Sequence, residues 1–196
     1  DRMAEFVKNF NEETQVQEFE TGTAVSFSLV EANKNSCDKI DKRIHGCYVS
    51  GTSIHISEEN TMPIEEIQVG YPILRANGTV AKVAKIVKGP EEKKVIKIKL
   101  ASNESVTLTE NHPVHTKTGL VLAKDLKEGV RLLNKKGEWQ ILTSLTKESY
   151  HGLVYNIELE GTSQETDHLL FSGGIVTGDL FLQNKNKTEK SLALQK

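Results

Sequence analysis

Cys47 directly follows Gly46, so its thiol lies beside the peptide carbonyl it would attack. Downstream come Thr109-Glu110-Asn111-His112 and, later, His168 ahead of Phe171-Ser172-Gly173-Gly174-Ile175-Val176. A thiol, a Thr-x-x-His and a second His in that order point to a chain that breaks its own backbone. The Cys47 thiol can attack the Gly46 carbonyl and move the acyl group from nitrogen to sulfur. The product is a thioester, which is easier to hydrolyse or transfer than an amide. Glycine suits the scissile position because no side chain blocks the approach and the backbone can take a strained geometry. The departing amide nitrogen needs a proton, an imidazole can supply it near neutral pH, and His112 is the candidate. Thr109 would orient the scissile peptide, Pro113 would fix the turn presenting His112, and main-chain N–H groups would steady the oxyanion.

Each of these residues also has a structural reading. A lone cysteine is usually a small buried hydrophobe, Thr-x-x-His recurs by chance, and His-Pro often marks only a turn. His45, His55, His115 and His151 are read as structural. A set of Cys47, His45, His112 and His115 matches no strong zinc spacing, and the acyl-shift chemistry needs no cofactor.

The elements that must position this chemistry sit in a chain of 196 residues, enough for one good domain plus extensions. Its net charge of −2 argues against a nucleic-acid grip built on bulk positive charge, because acidic residues interleave with the lysines. No apolar run is long enough to span a bilayer. Two cysteines make no disulfide framework, although Cys37 and Cys47 could pair. The chain opens at Asp1 without a signal-peptide pattern and reads as a segment of a longer protein.

Met3, Phe6, Val7 and Phe10 fall at helical spacing, Val25, Phe27 and Leu29 alternate as in a strand, and residues 33–45 read as an exposed linker. From Cys47 onward the pattern becomes short strands, at 53–56, 79–87, 95–100, 105–109, 130–133, 139–142, 153–159, 168–171 and 175–176. Gly89-Pro90 reads as a strand break and Asn103 as a hairpin turn. Short helical turns fit 64–67 and 122–126, each soon followed by a glycine, Gly70 or Gly129. Their similarity hints at a duplicated, pseudo-symmetric all-β domain. After Leu182 the sequence turns polar and reads as linker-like.

Three blocks in order resemble the Hint superfamily, the shared domain of hedgehog autoprocessing segments, inteins and bacterial intein-like domains. The first runs from Cys47 to Leu74 and includes Ile64-Glu65-Glu66-Ile67-Gln68-Val69-Gly70. The second runs from Thr107 to Leu133, with Thr109-Glu110-Asn111-His112-Pro113-Val114, Gly119 and the run Ala123 to Gly129. The last runs from Leu153 to Asp179, with Val154-Tyr155-Asn156, His168 and Gly174-Ile175-Val176. Together they cover about two-thirds of the chain.

The resemblance implies a horseshoe-like all-β fold with pseudo-two-fold symmetry over residues 47–179. Residues 1–46 and 180–196 would be flanking host segments, the latter flexible. Cys47 would be the acyl-shift nucleophile, with Thr109 and His112 its activating pair and His168 assisting at a junction. The chain would act once, in cis, as a monomer, on its own flanking segments or with an external nucleophile as acyl acceptor.

The last block departs from splicing inteins, which end in His-Asn followed by Cys, Ser or Thr. Here Gly178, Asp179 and Leu180 stand there, and the position often held by an acid is Asn156. Leu180 offers no nucleophile, and Asp179 is a poorer cyclising group than Asn. Ordinary splicing is not expected, and cleavage at Gly46–Cys47 is the leading reaction. A decayed Hint domain acting as a structural module, slow splicing or C-terminal cleavage through Asp179, and a Cys–His hydrolase acting on other molecules are the competing readings. Cys37, ten residues upstream, could act as a redox brake by pairing with Cys47.

Overall fold

The computed structural model describes residues 46–193, with side chains as far as residue 186. The expected helix near residues 3–10, the strand near 25–29 and the linker at 33–45, with Cys37 and His45, lie outside the described residues.

The first half of the domain contains β1 (Tyr48–Val49), β2 (Ser53–His55), β3 (Thr61–Pro63), β4 (Pro72–Leu74), β5 (Val80–Glu91), β6 (Lys94–Leu100) and β7 (Ser105–Thr109). The second half contains β8 (Pro113–Thr116), β9 (Gly119–Leu122), β10 (Arg131–Leu133), β11 (Trp139–Ser149), β12 (Gly152–Leu159), β13 (Leu169–Ser172) and β14 (Ile175–Gly178). Helix α1 (Leu180–Ala193) follows. The strands form one antiparallel path, β3-β2-β13-β14-β8-β10-β11-β6-β7-β1-β12-β5-β4, with β9 added to β8. This is the all-β architecture expected.

Alternation drives the pairing. In β6, Ile96, Ile98 and Leu100 are buried while Lys97 and Lys99 face out, and Ile96 and Ile98 register against Leu108 and Val106 of β7. Asn103 closes this hairpin in the left-handed region at φ 77°, which Asn tolerates better than most residues. The central core gathers Tyr48, Ile54, Ile73, Ile96, Leu132, Ile157 and Leu170, all fully buried.

The duplication is visible in the backbone. A 3-10 turn at Ile64–Glu66 leads through Gly70 into β4 and β5, and one at Ala123–Asp125 leads through Gly129 into β10 and β11. Gly70 and Gly129 take φ of 87° and 89°. Gly70 N–H donates to Val83 O at 2.8 Å, and Gly129 N–H donates to Leu142 O at 2.9 Å. Equivalent bonds run from Arg75 to Thr79 and from Asn134 to Glu138. The sequence similarity of the two turns therefore reflects two copies of one supersecondary unit.

Two details differ from the sequence expectation. Strand β5 continues through Gly89-Pro90, with Pro90 registered against Leu153 of β12. Strand β4 pairs only with Val80, Ala81 and Lys82, so Pro90 lies on an edge where its missing N–H costs no ladder bond. Residues Leu180–Ala193 form a helix where the composition reads as linker-like. Asp179 caps the first turn, its Oδ1 accepting the Leu182 N–H at 3.2 Å, and Leu180, Leu182 and Gln183 are buried. Leu182 packs in a second core cluster with Leu74, Leu169, Phe171 and Val176. A few apolar residues in one turn outweigh the polar composition that follows.

Candidate active site

Cys47 enters β1 between the ends of β7 and β12. Thr109, the last residue of β7, holds it twice. The Thr109 Oγ1 accepts the Cys47 N–H at 2.7 Å, and the Thr109 N–H donates to the Cys47 carbonyl at 2.9 Å. The nitrogen held by the Thr109 hydroxyl is that of the Gly46–Cys47 peptide.

The chain then turns tightly, with the His112 N–H on the Thr109 carbonyl at 3.2 Å. The second 3-10 turn buttresses the corner, its Ala123 N–H donating to the His112 carbonyl at 2.9 Å. The His112 ring is fully buried, its centroid 4.3 Å from that of Tyr48. Burial pushes its pKa down to about 4, against the opposing influence of the nearby Gly178 and Gly46 backbone. Neither ring nitrogen makes a well-formed hydrogen bond. The imidazole is thus neutral near pH 7.

Gly46 is buried at the centre of this arrangement. A Cβ there would lie 2.8 Å from the Asn111 carbonyl oxygen, 2.9 Å from the His112 Cα and 3.0 Å from the Gln183 Cδ. Only glycine fits without displacing backbone. Its carbonyl oxygen accepts from Asn156 Nδ2, an amide on β12. The same Nδ2 donates to Gln183 Oε1 at 2.9 Å, and Asn156 Oδ1 accepts the Ile157 N–H at 2.8 Å. Asn156 is completely buried. The Gly46 oxygen is therefore met by a side-chain amide, whereas the sequence reading expected main-chain donors there.

A second cluster surrounds Asp179. His168 Nδ1 pairs with Asp179 Oδ2 at 2.8 Å, and His168 Nε2 meets the Thr162 carbonyl at 2.8 Å. Burial works against protonation of His168. The hydrogen bond and charge of Asp179, with lesser help from the Thr162 carbonyl and the Asp167 charge, outweigh it and raise the pKa. The ring stacks on Phe181 with centroids 4.0 Å apart. Asp179 Oδ2 also accepts the Leu159 N–H at 2.9 Å.

A buried hydroxyl chain links the clusters. Ser172 Oγ lies 2.8 Å from Thr177 Oγ1, Thr177 Oγ1 lies 2.8 Å from Tyr48 Oη, and Tyr48 donates to the Gly178 carbonyl at 3.3 Å. Burial pushes the Tyr48 phenol pKa up, so it stays protonated as a donor.

The structure thus gathers Gly46, Cys47, Thr109 and His112 around one peptide bond and pairs His168 with Asp179, next to Leu180. Asn156 and Gln183 were not expected at the first site. Asn156 was marked only as a departure from an acidic position, and Gln183 carries no local motif. A surface depression of about 530 Å³, lined by His55, Leu74, Asn77, Asn134, Lys135 and Phe171, contains none of the junction residues.

An antiparallel all-β sheet built from duplicated units and followed by one helix is the fold of the intein-like domains. The chain belongs to the pretoxin Hint domain family, which matches residues 59–174, more than half of the sequence. That match contains Thr109, His112, Asn156 and His168 and ends short of both junctions. Among solved structures, the gp41-1 intein is similar at 25% identity, covering 69% of this chain and 99% of that one, with a TM-score of 0.60. The bacterial intein-like domain from Clostridium thermocellum is similar at 20% identity, covering 68% and 97%, with a TM-score of 0.58. A DnaB intein from Synechocystis sp. PCC 6803 shares the fold at 18% identity, covering 69% and 99%, with a TM-score of 0.56. No curated protein matches the sequence.

Proposed function

We propose that the chain cleaves its own backbone at Gly46–Cys47 through an N-to-S acyl shift. The observation that carries this reading is the hold on one peptide bond from both sides, by Thr109 Oγ1 on its N–H and by Asn156 Nδ2 on its C=O. Neutral His112 takes the Cys47 thiol proton, and the sulfur attacks the Gly46 carbonyl carbon. Negative charge develops on the Gly46 oxygen, where the Asn156 N–H already points. The C–N bond then breaks as the nitrogen takes the proton from His112. A Gly46 thioester on the Cys47 sulfur and a free Cys47 amine remain. Water, an amine or a thiol resolves the thioester.

Burial favours action in cis. Cys47 is only 4% exposed, and the Gly46 carbonyl belongs to the peptide that Cys47 itself closes. A hydrolase working on separate substrates would need an opening there. The downstream junction is expected to stay intact, because the Asp179 side chain is engaged as cap and ion-pair partner and Leu180 has no nucleophile. Gly46, Cys47, Thr109, His112 and Asn156 act in the reaction; His168 and Asp179 hold the downstream end.

Intact mass of freshly synthesised chain, with and without added thiol or hydroxylamine and beside Cys47→Ala, tests the reading. Fragments ending at Gly46 and starting at Cys47, absent from the alanine control, are expected. A chain that stays whole under every condition overturns it in favour of a structural Hint relic.

A further inference from the structure

We propose that Gln183, in the helix that follows the domain, positions Asn156 for the upstream reaction, so that α1 licenses cleavage at Gly46–Cys47. The inference rests on the acyl-shift reading above. Asn156 has one NH2 group and uses both of its donors, one on the Gly46 oxygen and one on Gln183 Oε1 at 2.9 Å. Its own carbonyl is fixed by the Ile157 N–H at 2.8 Å. Among the described residues the amide plane is set by three contacts, and the one from beyond Asp179 is Gln183. The same side chain closes over Gly46, where a Cβ would meet its Cδ at 3.0 Å. Both Asn156 and Gln183 are buried, at 0% and 4% exposure, so water does not readily replace a lost partner.

Placement gives the contact its consequence. Gln183 lies four residues past Asp179, in the first turns of a helix whose start is capped by Asp179. The upstream peptide bond is thus fully held only after the chain has been made and folded through residue 183. Detachment of α1 would release Asn156 from one of its three anchors and slow the acyl shift. Gln183 is a positioning residue, since it reaches the Gly46 oxygen only through Asn156.

The test compares cleavage rates of the full chain as wild type, Gln183→Met, Asn156→Ala and the double variant. Gln183→Met keeps the volume and removes the acceptor. It should slow cleavage about tenfold, the worth of one well-placed hydrogen bond, and Asn156→Ala about a hundredfold or more. The double variant should be no slower than Asn156→Ala alone, a non-additivity that a purely structural role would not produce. Wild-type rates in Gln183→Met, or an additive double variant, overturn the inference. Should wild type itself fail to cleave, or Gln183→Met fail to fold, the contact is read directly. The Asn156 side-chain amide resonances are compared in Cys47→Ala chains with and without Gln183→Glu. Shifted resonances support the link and unchanged ones refute it. Failure of wild-type cleavage indicts the acyl shift, whereas unchanged resonances indict the Gln183 contact alone.

Discussion

Mild acid is expected to destabilise the fold through His112. Its imidazole is fully buried, and burial lowers its pKa from 6.5 to about 4. Between those values the unfolded chain binds a proton that the folded chain refuses. Stability therefore falls as the pH drops from 6.5 toward 4, then levels off once both states are protonated. The interval corresponds to about 3 kcal/mol in the limit and about 2 kcal/mol at pH 5. Against a total of about 5–15 kcal/mol for a domain, that loss is readily measured. The assay is urea unfolding of the Cys47→Ala chain at pH 7 and pH 5, beside the same chain carrying His112→Gln. His168 cannot mimic the effect. Its folded-state pKa is raised, so its contribution is complete below 6.5 and is lost only as the pH climbs through the raised value. Depressed carboxyls such as Asp167 contribute above their ordinary range and lose that contribution only below it. The His112→Gln chain should therefore lose about 2 kcal/mol less between pH 7 and pH 5. Equal losses in the two chains would refute the assignment of His112 as a buried, neutral imidazole.

Other outcomes follow from the same geometry. Gly46→Ala should lower the unfolding free energy of the Cys47→Ala chain by about 1–3 kcal/mol, because the new methyl must displace the backbone at Asn111 and His112; an unchanged denaturation midpoint would contradict it. His168→Gln should cost most stability below pH 6.5, and the deficit should shrink as the pH rises through the raised His168 pKa. A deficit constant from pH 6 to pH 9 would show that the Asp179 ion pair contributes nothing. Cys37→Ser should erase any dependence of cleavage on a phosphine reductant, which cannot itself accept the acyl group, and a dependence that survives would remove Cys37 as a redox brake.

The sequence was most readable where local chemistry and local structure coincide. Ser105–Thr109 alternates because one face of β7 is buried, and the Thr-x-x-His that follows is a single tight corner. Such features are written within a few residues of one another. Asn156 was harder, because its donors act on residues 110 positions upstream and 27 downstream, and no local pattern encodes that meeting. Gly89-Pro90 misled for a related reason. Whether proline breaks a strand depends on which neighbour covers its N–H side, and β4 ends before reaching it. The polar composition after Leu182 hid a helix whose anchor is a capping residue and three buried side chains.

Gly46 and Asp179 are held by the same strand but in opposite senses. Through Asn156, β12 presents a hydrogen-bond donor to the Gly46 oxygen, where the proposed acyl shift would develop negative charge. Three residues on, it presents the Leu159 N–H to Asp179 Oδ2. That donor, His168 on the same oxygen and the Leu182 N–H on Oδ1 keep the Asp179 side chain turned toward cap and ion pair. For Asp179 to attack its own carbonyl it would have to leave all three, at about 1 kcal/mol or more each, and uncap α1. Breaking those contacts would also free the helix that carries Gln183 and loosen Asn156. Loss of the downstream end thus works against reaction at the upstream one. Under the proposed acyl shift, the arrangement favours reaction of the upstream bond while the downstream helix is still in place.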